Sequence, residues 1–274
     1  MTILDFANGV PPSVRLSLLT NFLKGEGVAS PIDMYKRTVG EILAYGTDAR
    51  LTESSQLGRL LFLGIVSAAE AYFRGILASC IEMCPLCRNE ASARQINLGG
   101  LLWHGRDGFS RSAFEHMSFA SREDLKKATK DYLGFTLRDE DFRSILDEYS
   151  VVCNLRHGIV HCDGFLPGRN AVQLDIPRFA LPVRIVVGFE QLQSVAAVVG
   201  NLVLVLNREL FHLMCRRWAI DWRSRADWIP EEADDMFRLI WDTFRSRLEF
   251  GDRSDNDGVA RSDCMREVSS VFGL

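Results

Sequence analysis

The sequence predicts a mainly α-helical protein with a small β-hairpin, and three observations support this. Apolar residues recur at three- and four-residue steps through three long stretches, 54–84, 136–161 and 190–218. That period places them on helix faces that are buried against a core. Between the second and third stretches, apolar and polar residues alternate instead, and a β-branched run ends at Val187. A two-stranded hairpin around Pro177–Pro182 is therefore expected after the second helix.

Length, composition and charge are those of an ordinary soluble globular protein. The 274 residues are enough to bury a sizeable core, with 47% of them hydrophobic and 25% charged. The net charge of −4 excludes a protein that coats nucleic acid through an overall basic surface. Any contact with RNA must therefore be local.

The composition along the chain predicts one helical body with additions at both ends. We expect a helical domain over 51–220, preceded by an N-terminal helical extension, 1–50. A C-terminal helix packed on the body is expected over 221–250. The polar stretch that follows Gly251 is poor in aromatic residues and predicts a disordered tail, 251–274.

The same sequence predicts a cytoplasmic protein without membrane contact. Residues 1–5 lack the basic start and the apolar core of a signal peptide. The most apolar run, Val195–Leu206, is shorter than the roughly 18–20 residues of a membrane span. The seven cysteines are irregularly spaced, and in a chain without an export signal they are expected to be reduced thiols.

Two short amphipathic patterns open the chain, at 13–23 and Pro31–Tyr45, and Gly25-Glu26-Gly27 separates them. Both predict helices that cover a core. The stretch 54–84 is apolar nearly all round, which predicts a central buried helix. A narrow polar stripe of Ser67, Glu70 and Arg74 interrupts it. Glu70 either pairs with Arg74 one turn later or faces the 136–161 helix, since buried acids are seldom left unpaired.

Three cysteines lie near the end of this helix, Cys80, Cys84 and Cys87, with Pro85 breaking the helix between them. Cys84 and Cys87 could form half of a zinc site. No second CxxC pair exists, and His104 and His116 are too widely spaced for a zinc finger. Buried thiols are therefore favoured over a metal site, although the sequence leaves zinc open.

Residues 88–120 are rich in glycine and predict loops, and Ser121 then caps a helix that ends near Leu133. Lys126, Lys127 and Lys130 make one face of this helix basic. They could guide an RNA backbone, or they could simply be solvated.

The 136–161 helix carries the residues that look suited to chemistry. Thr136 can cap it, and acidic residues fill its first turn. A helix C-terminus stabilises an imidazolium by ~0.3–1 kcal/mol at exposed sites, which favours protonated His161 near the end. Asp163 would act in the same direction, so His161 could donate a proton near neutral pH.

The spacing of these groups raises a geometric question. His157 and His161 are four residues apart and share a helix face, whereas Arg156 and His161 are five apart. At about 100° per residue, Arg156 and His161 diverge by roughly 140°. Both can act at one site only if the helix distorts near Gly158, or if more than one copy of the chain builds the site.

The stretch 156–161, Arg-His-Gly-Ile-Val-His, resembles the R-x4-6-H motif of the HEPN superfamily, in which a polar residue, here His157, follows the arginine. An early core helix with an acid such as Glu70, and a hairpin followed by a long helix, are also similar to HEPN domains. The resemblance covers roughly 54–218. It implies a helical bundle that dimerises with two motifs facing each other. Many such domains are metal-independent endoribonucleases of toxin–antitoxin, abortive-infection and antiviral systems.

The resemblance also implies roles for the residues. His161 would be the general acid or base for attack of a ribose 2′-OH on the adjacent phosphate, and Arg156 would stabilise the transition state. His157 would orient the site or bind phosphate, and Glu70 would position Arg156. Asn154 and Asp163 would support the site.

These roles require no metal and no cofactor. The expected partners are RNA, a second copy of the chain, and an antitoxin or regulatory partner that restrains the nuclease. Two alternatives remain open: a HEPN-like module that binds nucleotide or protein without cutting, and an unrelated helical regulator.

Overall fold

The computed structural model describes residues 16, 18–25, 27, 29–105, 108–250 and 260–274. These ranges contain twelve α-helices and no β-strand, which confirms the mainly α prediction. The helices are α1 (Pro31–Tyr45), α2 (Asp48–Glu53), α3 (Ser55–Met83), α4 (Pro85–Ala91), α5 (Leu98–His104), α6 (Arg122–Leu133), α7 (Asp139–His161), α8 (Gly168–Gln173), α9 (Phe189–Arg216), α10 (Ala233–Phe244), α11 (Arg247–Phe250) and α12 (Arg261–Phe272).

The central helix is α3, which contacts α1, α6, α7, α9 and α10. Ser54 caps it by accepting a hydrogen bond from the amide of Leu57 at 3.2 Å, and the helix stops before Pro85. Aromatic side chains join α3 to its neighbours: Phe73 meets the rings of Phe119 and Tyr149 at centroid distances of 5.9 and 6.0 Å. This packing fixes α7, the motif helix, against α3.

The motif helix α7 ends at His161, but it begins at Asp139 and not at Thr136. Arg138 occupies the N-cap position and makes no side-chain capping bond. Leu137 is buried, so the chain stays extended there to place this side chain in the core before the helix starts. Acidic residues in the first turn stabilise the helix start in place of a cap.

The predicted hairpin after α7 is not found in the described range 108–250. Residues 168–173 form α8, and the β-structure consists of one isolated antiparallel bridge between Phe165 and Arg184. The second predicted strand pairs with the turn after α7 instead: Leu166 donates to the Val183 carbonyl at 2.9 Å, and Ile185 donates to the Gly164 carbonyl at 2.8 Å. This pairing buries Ile185, so the apolar run serves the core and not a hairpin.

The described residues near both ends of the chain include helices. A short 3₁₀-helix spans Leu19–Phe22, while residues 1–15 lie outside the described part, including the start of the predicted 13–23 helix. A π-helical turn, Arg217–Asp221, extends α9, and α10 packs on α3 and α9. The tail 251–274 was predicted to be disordered. Its residues 251–259 lie outside the described residues, but residues 261–272 form α12, which packs on α9 and α10.

Two helices are long and apolar enough to cross a membrane by length and composition. They are α3, with a mean hydropathy of 1.6, and the continuous helix 189–221, with 1.5. In α3, 56% of the most apolar window is buried inside the fold, and in 189–221 the share is 33%. Core helices of soluble proteins pass the same test, so this is weak evidence, and the predicted cytoplasmic location stays a prediction.

Candidate functional site

The helix α7 carries the R-x4-H residues without a break. It is α-helical through Gly158, so the distortion that could have turned Arg156 and His161 to one side is not present. The rings of His157 and His161 are exposed, with centroids 4.8 Å apart and planes 48° apart. The two imidazoles thus form one accessible pair, as their spacing predicts, and Arg156 points elsewhere around the helix.

Arg156 faces the central helix. Its Nη2 lies 4.0 Å from Oε1 of Glu70, and its side chain is 28% exposed. Arg74 donates a shorter hydrogen bond, 2.9 Å, to Oε2 of Glu70 and another of 2.9 Å to the Met117 carbonyl. Both interpretations of Glu70 are therefore realised together: it pairs with Arg74 along its own helix and faces Arg156 across the helix pair.

The Glu70 cluster, which we define as Glu70, Arg74 and Arg156, carries one carboxylate for two guanidinium groups. A guanidinium stays charged in proteins, so the cluster has an excess positive charge. Planar guanidinium groups bind phosphate and carboxylate through paired N–H donors. The cluster is therefore suited to hold an anion.

Cys153, one turn before His157, is not a nucleophile of this site. Burial raises the pKa of its thiol to about 12, and the negative charge of Glu70 contributes in the same direction. A thiol with so high a pKa is protonated at neutral pH and unreactive.

Asn154 is held by a residue that the sequence did not single out. The Nδ2 group of buried Asn170, on α8, donates to Oδ1 of Asn154 at 2.8 Å and to its carbonyl at 3.2 Å. Asn154 in turn donates to the Ser150 carbonyl at 2.9 Å. Asn154 therefore joins α7 to α8, which is a structural role. Asn170 was missed because the sequence predicted a strand where α8 forms.

Asp163 lies in a left-handed turn with φ 51°, and its side chain is 88% exposed. Its carboxylate pairs with Arg184 at 3.1 Å, and Arg184 also donates to the Asp163 carbonyl at 2.9 Å. The guanidinium of Arg184 lies over the Phe165 ring, 4.2 Å from the centroid. No ion pair joins Asp163 to His161 in the described part of the chain. Arg184, which lies in the predicted second strand, was not recognised from sequence.

Gly158 is the point of closest contact between α7 and the chain that follows it. A Cβ atom built on Gly158 would lie 2.7 Å from a side-chain carbon of Ile185 and 2.8 Å from the Phe165 carbonyl oxygen. Its own carbonyl accepts hydrogen bonds from the amides of Cys162 and Gly164, both at 3.1 Å. The glycine therefore serves packing and helix termination.

The three lysines of the predicted basic face on α6 differ in whether they form ion pairs. Lys126 pairs with Asp139 at 2.7 Å, whereas Lys127 and Lys130 are exposed and form no ion pair with any described residue. Since α6 packs against α7, these two lysines are available to an anionic ligand on that side of the molecule.

A cleft of about 710 Å³ lies between α1, α3 and the α5 region. Small residues of α3 form its floor, and Glu82, His104, Arg111 and Glu115 lie along its edge. Arg74 also lines this cleft, so one guanidinium belongs both to the cleft and to the Glu70 cluster.

Cys84 and Cys87 are buried, and the guanidinium of Arg217 lies against both sulfur atoms. In the part of the chain that is described, no group of three or more His, Cys, Asp or Glu residues is arranged to hold a metal ion. The described residues therefore supply no further ligands that would complete a zinc site at Cys84 and Cys87.

Comparison with known proteins adds no family. No protein-family model, no curated protein and no solved structure matches this chain. The HEPN resemblance therefore rests on residues 156–161 and their setting alone.

Proposed function

We propose that the protein is a metal-independent endoribonuclease of HEPN type, acting as a toxin or in defence against phage. The observation that carries the proposal is that one helix, α7, presents a pair of exposed imidazoles, His157 and His161, on one side and the Arg156 guanidinium, whose cluster has spare positive charge, on another. Histidine is the side chain best suited to move protons near neutral pH, and arginine is suited to bind the phosphate being cleaved.

In the proposed reaction, His161 removes the proton from a ribose 2′-OH, and this oxygen attacks the adjacent phosphorus. A bond forms between phosphorus and the 2′-oxygen, and the bond to the 5′-oxygen breaks. The leaving 5′-oxygen takes a proton from a second imidazole, His157 or the His161 of another copy. Arg156 stabilises the added negative charge, and Glu70 orients Arg156. The products are a 2′,3′-cyclic phosphate and a 5′-hydroxyl.

A site shared by two copies of the chain fits the side-chain directions. Arg156 faces α3, while His161 is exposed on a regular helix, about 140° away. A two-fold contact presents the same surface twice, so it would bring the His161 of one copy near the Arg156 of the other. Exposed Val160, next to His161, supplies apolar surface for such a contact.

The test is cleavage of total RNA by purified protein in EDTA. Wild type should cut and leave cyclic or 3′-phosphate ends, and Arg156→Ala and His161→Ala should each lose about a hundredfold or more of the rate. Arg156→Lys keeps the charge and loses the planar fork, so it should stay impaired. The matched control is Arg143→Ala, an exposed arginine on the same helix, 13 residues before Arg156.

Three outcomes contradict this proposal: motif variants that cut like wild type, a strict need for a divalent ion, or 3′-hydroxyl ends. RNA that is bound but never cut would favour the alternative of a binding module. A mixed dimer of wild type with an Arg156→Ala/His161→Ala chain tests the sharing. A shared site predicts activity well below half of wild type, whereas half activity, or an active monomer, means that each chain cuts alone.

A further inference from the structure

Arg217 begins the π-helical turn after α9, and it is 9% exposed. Its Nη2 donates to the Leu133 carbonyl, at the end of α6, at 2.7 Å. Its Nη1 lies 3.0 Å from Sγ of Cys87 and 3.6 Å from Sγ of Cys84. No described carboxylate pairs with this guanidinium.

A buried arginine needs a negative partner, because a guanidinium does not lose its proton in a protein. The ionisable groups that face it are the thiols of Cys84 and Cys87, with Cys80 of α3 and Arg225 close enough to influence them. A hydrogen bond from Cys87 holds the pKa of Cys84 well below that of an ordinary thiol, and the charge of Arg217 lowers it further. The same bond raises the pKa of Cys87. The two pKa values shift in opposite directions, so a proton lost from this pair is expected to leave Cys84.

The local backbone brings both sulfurs to one side. Cys84 is the N-cap of α4, and its sulfur accepts a hydrogen bond from the amide of Cys87 at 3.4 Å. Pro85 fills the first helical position, where its missing N–H costs nothing. Both sulfurs thus lie against the same guanidinium nitrogen, Nη1 of Arg217. A thiolate next to a second thiol is the arrangement that forms and breaks disulfides.

We propose that Cys84 and Cys87 form a redox-active dithiol that is oxidised to a disulfide by hydrogen peroxide, with Arg217 holding the attacking sulfur as the thiolate. The thiolate of Cys84 attacks one peroxide oxygen, the O–O bond breaks, and the released hydroxide takes a proton from solvent to give water. Cys84 is then a sulfenic acid. The sulfur of Cys87 attacks the sulfur of Cys84, the S–O bond breaks, and the hydroxide leaves with the Cys87 proton as water. Two thiols and one peroxide give one disulfide and two waters.

Burial sets which oxidant can react. Both sulfurs are inaccessible in the closed fold, but α4 is short and its residues 88–90 are exposed. Small hydrogen peroxide can reach Cys84 through a brief local opening of this helix, and bulky disulfides are excluded. Oxidation also removes the counter-charge of Arg217, so the disulfide form holds a buried unpaired cation and should open more readily.

The test treats the full-length protein with hydrogen peroxide, alkylates the remaining thiols after denaturation, and maps the cysteines by mass spectrometry. A disulfide between Cys84 and Cys87, reversed by dithiothreitol, is expected. Cys80, Cys153 and Cys215 are matched controls, since burial raises the pKa of each thiol and they should stay alkylatable. Oxidation spread evenly over all cysteines, or a Cys84 as inert as Cys215, overturns the proposal.

Variants identify the attacking sulfur. Cys87→Ser should trap a sulfenic acid on Cys84 that reacts with dimedone, whereas Cys84→Ser should give no such adduct on Cys87. Arg217→Met should slow oxidation by on the order of tenfold or more at neutral pH, because the thiolate fraction falls. If Arg217→Met fails to fold, the wild-type map still decides. No RNA is present in these assays, so they succeed or fail independently of cleavage.

Discussion

The molecule holds two clusters in which arginine meets a buried partner. In the Glu70 cluster, Arg156 is 28% exposed and lies 4.0 Å from buried Glu70, which also accepts a hydrogen bond from Arg74. In the interior, Arg217 is buried and its donors end on a carbonyl and two sulfurs. The Glu70 cluster has two guanidinium groups for one carboxylate, so its net charge is positive. The guanidinium of Arg217 makes all its described contacts inside the fold. Arginine thus stays partly open to solvent in one cluster and is enclosed by the fold in the other.

The largest effect should come from removing the counter-charge in the interior. The double variant Cys84→Ala/Cys87→Ala leaves a guanidinium that cannot neutralise itself, which should lower the free energy of unfolding by about 3–5 kcal/mol. Urea denaturation measures this, and adding Arg217→Met should recover part of the loss. Cys215→Ala is the control, because it removes a buried thiol without a charged partner. A double variant that costs no more than twice this control would remove the distinction between the clusters.

The second-largest effect should be a pH dependence of the free energy of unfolding that arises from the interior cluster. The pKa of Cys84 is lowered from 9.0 to about 6, chiefly by the hydrogen bond from Cys87. A depressed pKa adds stability that is complete above the unfolded value and lost as pH falls through the folded value. Stability should therefore fall from pH 9 towards pH 6, by up to about 1.4 kcal/mol per pH unit. The slope is measured as the difference between wild type and Cys84→Ala/Cys87→Ala, and equal slopes in the two proteins would contradict it.

The smallest effect on stability should come from changing the Glu70 cluster, where we expect RNA cleavage to be affected more than folding. Glu70 is itself buried, but Gln keeps an oxygen that can accept from Arg74, and both arginines are partly exposed to water, so Glu70→Gln should cost about 1–2 kcal/mol. RNA cleavage should nevertheless fall by roughly tenfold or more, since Arg156 loses its positioning partner. Glu148→Gln, an exposed acid on α7, is the matched control for charge. A Glu70→Gln protein that is strongly unfolded would show that Glu70 belongs to the core and is not a positioning residue.

Local patterns in the sequence were sufficient to predict the long helices α3, α7 and α9, but not the short helices α5 and α8 or the terminal α12. Periodicity and caps gave α1 with its bounds and the end of α7 at His161, since both signals lie within a few residues. The hairpin failed because Ile185 pairs with Gly164, and alternation does not say which partner a strand finds. Contacts between segments that are distant in the sequence could not be predicted from these local patterns.

The candidate site divides in the same way. The shared face of His157 and His161 follows from helical spacing alone. That Glu70 lies between Arg74 and Arg156 depends on how α3 packs on α7, so the sequence could only offer the two possibilities. Arg217 contacts Cys87 across 130 positions of sequence, and no local signal near either residue marks that pairing.

The contact at Gly158 couples the motif to the turn that follows it. The turn after α7 lies so close to the helix that a methyl group on residue 158 would meet the Phe165 carbonyl oxygen at 2.8 Å. A larger residue at Gly158 would therefore push the turn away from α7, and with it the Asp163–Arg184 pair. The glycine between the two histidines thus sets the spacing between α7 and the chain that follows it.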